Sequence, residues 1–159
     1  MTQFTDFKPA HAEQLITWFS NQQQLSEWAG RGVSYSDIKQ AENLVEQLSI
    51  DDMPAFSLLN EGELLAFGQY YQRLDCCHLC RLAVAPSHRG KGLISTLIYH
   101  ILEVGYKELS LNTASLFVYP RNESALKSYQ KLGFNAEPYI GDDDIDDCLY
   151  MRRDGFPRL

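Results

Sequence analysis

The stretch LAVAPSHRGKGLISTLIYHIL, residues 82–102, decides how this chain folds. It runs from an apolar segment through a proline and a turn with two glycines into a segment whose apolar residues recur in adjacent pairs four residues apart. The first part is typical of a buried strand, and the second is typical of a helix with one broad apolar face. The stretch therefore predicts a strand, a glycine-rich turn and a helix that packs against a sheet.

The turn itself predicts an anion site. A strand that leads through glycines into a helix directs several backbone N–H groups to one point, and the helix N-terminus adds the equivalent of about half a positive charge. Gly90 and Gly92 allow a phosphate to approach the backbone closely, and Arg89 and Lys91 add mobile positive charge. A tight turn with two solvated cations is the plainer alternative. Because neither GxxxxGK[ST] nor GxGxxG is present, the phosphate is expected to belong to another kind of cofactor.

The rest of the chain alternates between helical and strand-like patterns. Upstream, these patterns predict strands at residues 4–7, 55–60, 64–71 and 78–85, and helices at 11–19, around 25–28 and at 34–48. Downstream, they predict strands at 116–119, 134–139 and 148–152, and a helix at 122–132. Ser34 with Asp37 is typical of a helix start, Asn122 of an N-cap and Gly133 of a helix end. We predict a mixed α/β domain with at least one parallel strand pair, joined by the helix after the turn.

Composition limits the class of protein. The 159 residues carry 21 acidic and 14 basic side chains, a formal charge of −7, and 45% of them are hydrophobic. We predict a single globular domain over residues 1–159. The acidic balance argues against a protein that binds the nucleic-acid backbone. No apolar stretch approaches the roughly 20 residues that span a bilayer, and the N-terminus lacks a secretory pattern. The prediction is a cytoplasmic protein with neither a nucleic-acid nor a membrane partner.

The cysteines are interpreted as buried apolar side chains. Cys76, Cys77 and Cys80 lie in a strand-like run and Cys148 lies near the end of the chain. A zinc site that includes His78 is the second interpretation. It is disfavoured because structural zinc usually takes paired ligands from two loops, whereas alternate residues of a strand point to opposite faces.

Two blocks of sequence carry a resemblance to a known family. They are LAVAP at 82–86 with HRGKGL at 88–93, and VYPRNESA at 118–125 with YQKLGF at 129–134. In order and spacing these blocks resemble the GNAT superfamily of acetyl-CoA-dependent N-acetyltransferases. The (Q/R)xxGx(G/A) motif of that family falls on residues 89–94, and the resemblance covers about a third of the chain.

The resemblance implies a fold and a set of cofactor residues. The implied fold is GNAT-like α+β, a mixed and mostly antiparallel sheet of about six to seven strands with a central splayed parallel pair, flanked by about four helices. The implied reaction moves an acetyl group from acetyl-CoA, as co-substrate and without a metal, to a primary amine. The implied cofactor-binding residues are Leu82, Ala83, Val84, Arg89, Gly90, Lys91, Gly92, Leu93, Ile94, Ser95 and Asn122.

Tyr129 is the residue that the resemblance implies for catalysis, beside the sulfur of the cofactor. Attack of an amine on a thioester expels a thiolate, which needs a proton from a nearby acid. By itself, the helical spacing of Tyr129 with Leu126 and Leu132 is typical of a core aromatic. With the resemblance, we predict that Tyr129 is the general acid.

Ile94 departs from the family pattern, which has Gly or Ala at this position. Its pairing with Leu97, Ile98 and Ile101 indicates a side chain that points into the core and leaves its amide free. The alternative is a side chain that faces the phosphates and weakens cofactor binding.

The acceptor amine is encoded less clearly. The net charge is −5 over residues 1–55, +1 over 56–140 and −3 over 141–159. The resemblance implies that the acceptor lies between the N-terminal helices and the last hairpin, where an acidic rim would concentrate a cationic amine. An acidic loop that only keeps the protein soluble is the alternative. Trp28 is predicted to line the acceptor site, with a tryptophan buried beneath a loop as its alternative. We predict a cationic small molecule or a peptide amine.

The sequence does not indicate the general base. A lysine-like amine has a reference pKa of about 10.4 and must lose a proton before it attacks, but Glu27, Asp75 and His78 are weak candidates and no general base is assigned.

Three interpretations of the whole chain stay open from the sequence. A non-catalytic acyl-CoA sensor or interaction module is the main alternative to an enzyme. A nucleotide-phosphate-binding domain is a weaker one, because it leaves residues 122–134 unexplained. Either a monomer or a homodimer is compatible with the sequence.

Overall fold

The computed structural model describes residues 1–30, 32–38, 40–48 and 52–157. Within these residues the chain forms seven strands and five α-helices, with single 3₁₀ turns at Ile16–Trp18 and Pro86–His88. In chain order the elements are β1 (Gln3–Asp6), α1 (Pro9–Leu15), α2 (Gln22–Ala29), α3 (Ala41–Gln47), β2 (Ala55–Asn60), β3 (Glu63–Arg73), β4 (Cys76–Val84), α4 (Leu93–Leu109), β5 (Thr113–Val118), α5 (Glu123–Lys131), β6 (Asn135–Glu137) and β7 (Leu149–Asp154).

The strands form one sheet in the order β1-β2-β3-β4-β5-β7-β6. Every neighbouring pair is antiparallel except β4 and β5, which are parallel and are joined by α4. This confirms the predicted mixed, mostly antiparallel sheet with a central parallel pair. The connection from β4 through α4 to β5 is the crossover that a parallel pair requires.

Helices cover both faces of the sheet because successive strand side chains point to opposite sides. On one face, Ala66 of β3 and Leu79 of β4 belong to the apolar cluster that packs α4 and α5. On the other face, Phe67 of β3 belongs to the cluster of α1, α2 and α3. Strand β3 therefore lies between two separate apolar layers.

Two predicted boundaries are wrong. The third helix begins at Ala41 rather than at Ser34, whose carbonyl accepts hydrogen bonds from the amides of Asp37 and Ile38 in an isolated turn. Extended backbone at Gln40 (φ −105°, ψ 130°) separates that turn from α3. The strand predicted at 134–139 is only β6, because Pro138 follows it and has no N–H to donate to the sheet.

Candidate functional site

A cleft opens where β4 and β5 separate. Their parallel pairing consists of Cys77 opposite Ala114 and His78 opposite Ser115. Beyond these pairs, β4 continues to Val84 with no strand neighbour on its β5 side among the described residues. The predicted residues Leu82, Ala83 and Val84 therefore lie on a half-buried strand edge whose backbone groups can pair with an extended ligand.

The turn after β4 is open and is rich in backbone donors. Gly90 (φ 80°) and Gly92 (φ 74°) are both in the left-handed region that favours glycine, and no atom lies within 4 Å of a Cβ built at either position. Gly92 is the N-cap of α4 and provides no side chain to bind the first-turn amides, which include those of Leu93, Ile94 and Ser95. These open amides at a helix N-terminus fit a diphosphate.

A chain of polar contacts tethers this turn to β3, and the sequence did not predict it. The Nε2 atom of His88 lies 2.5 Å from Oε1 of Glu63, and Nδ1 of the same ring lies 3.2 Å from Nζ of Lys91. Lys91 therefore approaches the turn from the His88 side, while Arg89 is exposed. Glu63 is 25 residues from His88 in sequence, so no local pattern could have indicated this contact.

Ile94 packs against the apolar cluster that includes Leu97 and Ile101, and its side chain is half-buried. This placement supports the first of the two interpretations of Ile94, in which the side chain faces the core. The amide of Ile94 is then available to a phosphate.

We expect Ile94→Gly to give no gain in affinity for acetyl-CoA. Glycine inside a helix costs roughly 1 kcal/mol relative to alanine, and the substitution also removes buried apolar surface, so the melting temperature is expected to fall. Calorimetric titration of wild type and variant measures the dissociation constants. A tenfold or larger gain in affinity would mean that the Ile94 side chain obstructs the phosphates.

Asn122 caps α5 as the sequence predicts. Its Oδ1 accepts a hydrogen bond of 3.4 Å from the amide of Ala125. The cap places Asn122 four residues after the end of β5, on the β5 side of the cleft. Its contact with a cofactor stays a prediction.

Tyr129 lies on the inner face of α5. Its side chain is buried, packs edge-on against Phe134 at a ring distance of 6.2 Å and belongs to the cluster that contains Val118, the last residue of β5. Within the described part of the chain, its hydroxyl has no hydrogen-bond partner. Burial raises the pKa of Tyr129 to about 12, so the phenol is protonated at neutral pH. A core aromatic and a proton donor are both compatible with this placement.

Comparison with known families identifies the family of this chain. The model of the acetyltransferase (GNAT) family matches residues 13–134. This chain belongs to the GNAT acetyltransferase family. The resemblance carried by the two sequence blocks is thereby confirmed.

Individual relatives are more distant. A spermidine N(1)-acetyltransferase of Vibrio cholerae is 33% identical over 60 residues, 38% of this chain and 35% of the relative. The Escherichia coli K12 enzyme of the same name is 29% identical over 75 residues, 47% of this chain and 38% of the relative. The matched segments thus span little more than a third of these curated relatives.

Solved structures share the fold of this GNAT chain over nearly its whole length. The PaiA N-acetyltransferase of Thermoplasma acidophilum, solved in complex with coenzyme A, has a TM-score of 0.71 at 19% identity and covers 97% of this chain and 99% of its own. Spermidine N-acetyltransferase of Vibrio cholerae, solved with CoA and spermine, has a TM-score of 0.70 at 19% identity and covers 95% and 92%. At this identity the likeness establishes the fold.

Trp28 of the GNAT chain is anchored to the cleft strand. Its indole Nε1 donates a 2.7 Å hydrogen bond to the carbonyl of Arg81, and its ring stacks on Phe19 at 4.6 Å and meets Phe67 edge-on at 5.6 Å. The side chain is half-buried, so part of it faces solvent beside β4. Its role in acceptor binding stays a prediction.

The acidic loop folds back over the sheet, which the sequence did not predict. Arg73, at the end of β3, donates to Oδ2 of Asp143 at 2.8 Å and to the Tyr139 hydroxyl at 2.9 Å, and its guanidinium lies 4.9 Å from the centre of the Phe117 ring. Hydrogen bonds from Tyr139 and Arg73 lower the pKa of Asp143. One aspartate of the predicted acidic rim is therefore already paired with a cation.

The three weak candidates for a general base occupy different places. His78 is buried, lies 2.8 Å from the Ser115 hydroxyl through Nδ1, and has its pKa lowered to about 3 by burial and by Arg73. Asp75 lies in the turn before β4, at the opposite end of that strand from the glycine-rich turn. Glu27 pairs with Arg121 at 3.3 Å. None of them combines a free carboxylate or imidazole with a position at the cleft.

The cysteine cluster contacts other partners. Sγ of Cys76 lies 3.6 Å from the Tyr150 hydroxyl, and Sγ of Cys80 lies 3.5 Å from Sδ of Met53. Burial raises the pKa values of the Cys77 and Cys80 thiols, so neither is a ready thiolate.

Across the described ranges, no helix is long and apolar enough to cross a membrane, and no group of three or more metal-binding side chains converges.

Proposed function

We propose that this chain is an N-acetyltransferase that moves an acetyl group from acetyl-CoA to a primary amine of a small polycation such as spermidine. The observation that carries the proposal is the juxtaposition of the free edge of β4 with the open turn at Gly90 and Gly92. Together these features offer strand-like pairing for an extended chain and amide donors for a diphosphate, and coenzyme A contains both groups.

The proposed chemistry is direct transfer. The neutral amine nitrogen attacks the thioester carbonyl carbon, a C–N bond forms and the C–S bond breaks. The departing sulfur takes the proton of the Tyr129 hydroxyl. The proton that the nitrogen loses passes through solvent and restores the phenol of Tyr129. The raised pKa of Tyr129 supports this role, because it keeps the donor protonated at the pH at which the amine reacts.

The choice of a cationic acceptor has two supports. The relatives with the matching segments are named as spermidine N(1)-acetyltransferases. In addition, the ion pair between Glu27 on α2 and Arg121 after β5 joins the two sides of the cleft. A polyamine can compete with Arg121 for the Glu27 carboxylate, whereas an anionic amine cannot.

A thiol-release assay with acetyl-CoA tests the proposal. We expect turnover with spermidine and with other amines that carry a second positive charge, and little turnover with amino acids that carry a net negative charge. Turnover confined to anionic or neutral amines would contradict the cationic acceptor. Tight binding of coenzyme A with no turnover for any amine would favour the acyl-CoA sensor.

Two substitutions in the Glu27–Arg121 pair are expected to move spermidine affinity in opposite directions. Glu27→Gln removes the carboxylate and should raise the KM for spermidine, while Arg121→Gln releases the carboxylate and should lower it. Because exposed ion pairs contribute about 0.2–1 kcal/mol, the expected change is about 1.4- to fivefold in each case.

Glu13→Gln is the matched control for charge, because Glu13 is an exposed acidic residue of α1 with the same side chain. It should leave the KM for spermidine unchanged. If Glu13→Gln raises the KM as much as Glu27→Gln does, the effect is one of overall charge, and Glu27 has no specific part in acceptor binding.

A further inference from the structure

A β-bulge interrupts β4 just before the free strand edge. The pairing of β3 with β4 shifts between Phe67 and Gln69, so that Gly68 lies opposite the extra residue. Arg81 lies in the bulge, and its φ of 51° is in the left-handed region that residues other than glycine rarely adopt. As a result, the side chains of Cys80 and Arg81 both point toward the face of the sheet that carries α2 and α3.

The guanidinium of Arg81 joins three separate segments. Its Nε donates to the carbonyl of Ala29 at 3.1 Å, and its Nη1 donates to the carbonyl of Leu48 at 2.9 Å and to Oε1 of Gln69 at 3.1 Å. Ala29 is the last residue of α2 and Leu48 caps α3. Carbonyls at helix C-termini are unpaired within their helix and carry partial negative charge, so one cation caps both helices.

Two more side chains, those of Gln69 and Trp28, complete this network. The fully buried Gln69 donates from Nε2 to the carbonyls of Leu48 at 3.2 Å and of Met53 at 3.4 Å. The backbone carbonyl of Arg81 accepts the indole N–H of Trp28. Both the backbone and the side chain of the bulge residue are therefore bonded to the segments that cover this face of the sheet.

We propose that Arg81 is a positioning residue that fixes α2 and α3 against the strand that holds the donor substrate, and thereby sets where the acceptor amine stands relative to the thioester. The inference rests on the proposed function. The next residue along the chain, Leu82, begins the strand edge assigned to the donor. A small rotation of α2 or α3 about this joint changes the distance between Glu27 and that edge, but it leaves the turn at residues 90–92 in place.

We expect substitutions of Arg81 to impair the use of the acceptor and to leave the binding of the donor nearly intact. In Arg81→Met the two helix ends lose their shared cation, and displacements of about 1 Å between reacting groups can lower rates by about 100-fold. We expect kcat/KM for spermidine to fall about 10- to 100-fold, because KM rises a few-fold as Glu27 is displaced and kcat falls as the amine is misplaced, while the dissociation constant of coenzyme A stays within about twofold. Arg81→Lys keeps the charge but loses the fork, so it should recover part of the loss.

Leu102→Ala is the control for lost stability, because Leu102 is fully buried in the middle of α4. It should lower the melting temperature and leave the KM for spermidine unchanged when assayed below that temperature. An unchanged KM in both Arg81 variants, or a parallel loss of coenzyme A affinity, would overturn the positioning role. A KM that rises equally in Leu102→Ala would assign the effect to stability instead.

Amide hydrogen exchange provides a readout that needs no turnover. In Arg81→Met and Arg81→Lys we expect faster exchange in residues 22–29 and 41–48, with α4 unchanged. If wild type acetylates no amine, the proposed function fails, and the exchange data still decide whether Arg81 holds the two helices. Unchanged protection in both segments would overturn the inference.

Discussion

Replacing Tyr129 with phenylalanine is expected to lower kcat about 100-fold and to leave the dissociation constant of coenzyme A within about twofold, because general acid catalysis typically contributes 10²–10⁴-fold. The substitution removes only the hydroxyl oxygen, which has no hydrogen-bond partner among the described residues. The packing of the ring against Phe134 is therefore retained. Single-turnover and steady-state kinetics with spermidine measure kcat, and calorimetry measures the affinity for coenzyme A.

The pH profile of the same reaction gives a second check. Since burial holds the pKa of Tyr129 at about 12, the phenol stays protonated through neutral and moderately alkaline pH. The rate of wild type should therefore rise with pH as the acceptor amine loses its proton, and deprotonation of Tyr129 should reduce it only near pH 12. In Tyr129→Phe the rising limb should persist at a uniformly lower rate.

Tyr106→Phe is the matched control for this experiment. Tyr106 is also buried, and its hydroxyl donates a 2.8 Å hydrogen bond to the carbonyl of Gly155, the residue after β7. Its loss should cost about 0.5–1.5 kcal/mol of stability and leave kcat unchanged. If Tyr129→Phe behaves like this control, Tyr129 is a core aromatic and the proton reaches the thiolate by another route.

The parts of the fold that local sequence could predict are those that local chemistry decides. Paired apolar residues at helical spacing after Gly92 define α4, and Asn122 and Gly133 mark the ends of α5 through a side-chain cap and a left-handed backbone. The strand, turn and helix around residues 82–102 require the parallel pair, because a crossover helix joins parallel strands. These features predict the strand, the turn, the helix and the parallel pair from local sequence, whereas the cleft between the splayed strands is implied only by the family resemblance.

The features that escaped prediction depend on contacts between distant segments. The side chain of Arg81 bonds residues 12 to 52 positions away, and Arg73 bonds Asp143 across 70 positions, so neither has a periodic signature. The start of α3 was mispredicted for a related reason. Ser34 has the right residue type for a cap, but its hydroxyl bonds Ser36 and its backbone forms a separate turn.

The bulge shows why the sequence could not indicate what Arg81 does. Read along the chain, Arg81 follows Cys80 in a strand, so alternation would point it away from the face that Cys80 occupies. The extra residue opposite Gly68 reverses that expectation and brings both side chains to one face. At Gly68 a Cβ atom would lie 2.7 Å from Cδ2 of Leu82 and 2.8 Å from Cδ1 of Ile101, so a larger residue would displace these side-chain ends.

The second large effect is expected at Gly92, where aspartate should nearly abolish the binding of coenzyme A without unfolding the protein. Asp and Asn adopt the left-handed region more readily than other side chains, and no atom lies within 4 Å of a Cβ at this position. An aspartate here should also interact favourably with the N-terminus of α4, by about 0.3–1 kcal/mol. The melting temperature of Gly92→Asp should therefore equal or exceed that of Gly92→Asn.

The binding of coenzyme A should move in the opposite direction, because the carboxylate takes the place of the diphosphate at the first-turn amides and also repels it. Two like charges 4 Å apart interact by about 1 kcal/mol in water and about 4 kcal/mol near a protein surface. A repulsion energy of about 2.7 kcal/mol, between these two values, makes the dissociation constant of coenzyme A about 100-fold larger in Gly92→Asp than in Gly92→Asn.

Pantetheine, which lacks the phosphates, distinguishes charge from shape in this comparison. Its affinity should be equal in Gly92→Asp and Gly92→Asn, and the difference between the two variants for coenzyme A should shrink as salt screens the repulsion. Equal affinity of both variants for coenzyme A at low salt would mean that the diphosphate binds elsewhere, and the turn at residues 90–92 would then be a tight turn with two solvated cations. The two Gly92 variants thus test directly whether the strand, turn and helix at residues 82–102 also hold the donor substrate.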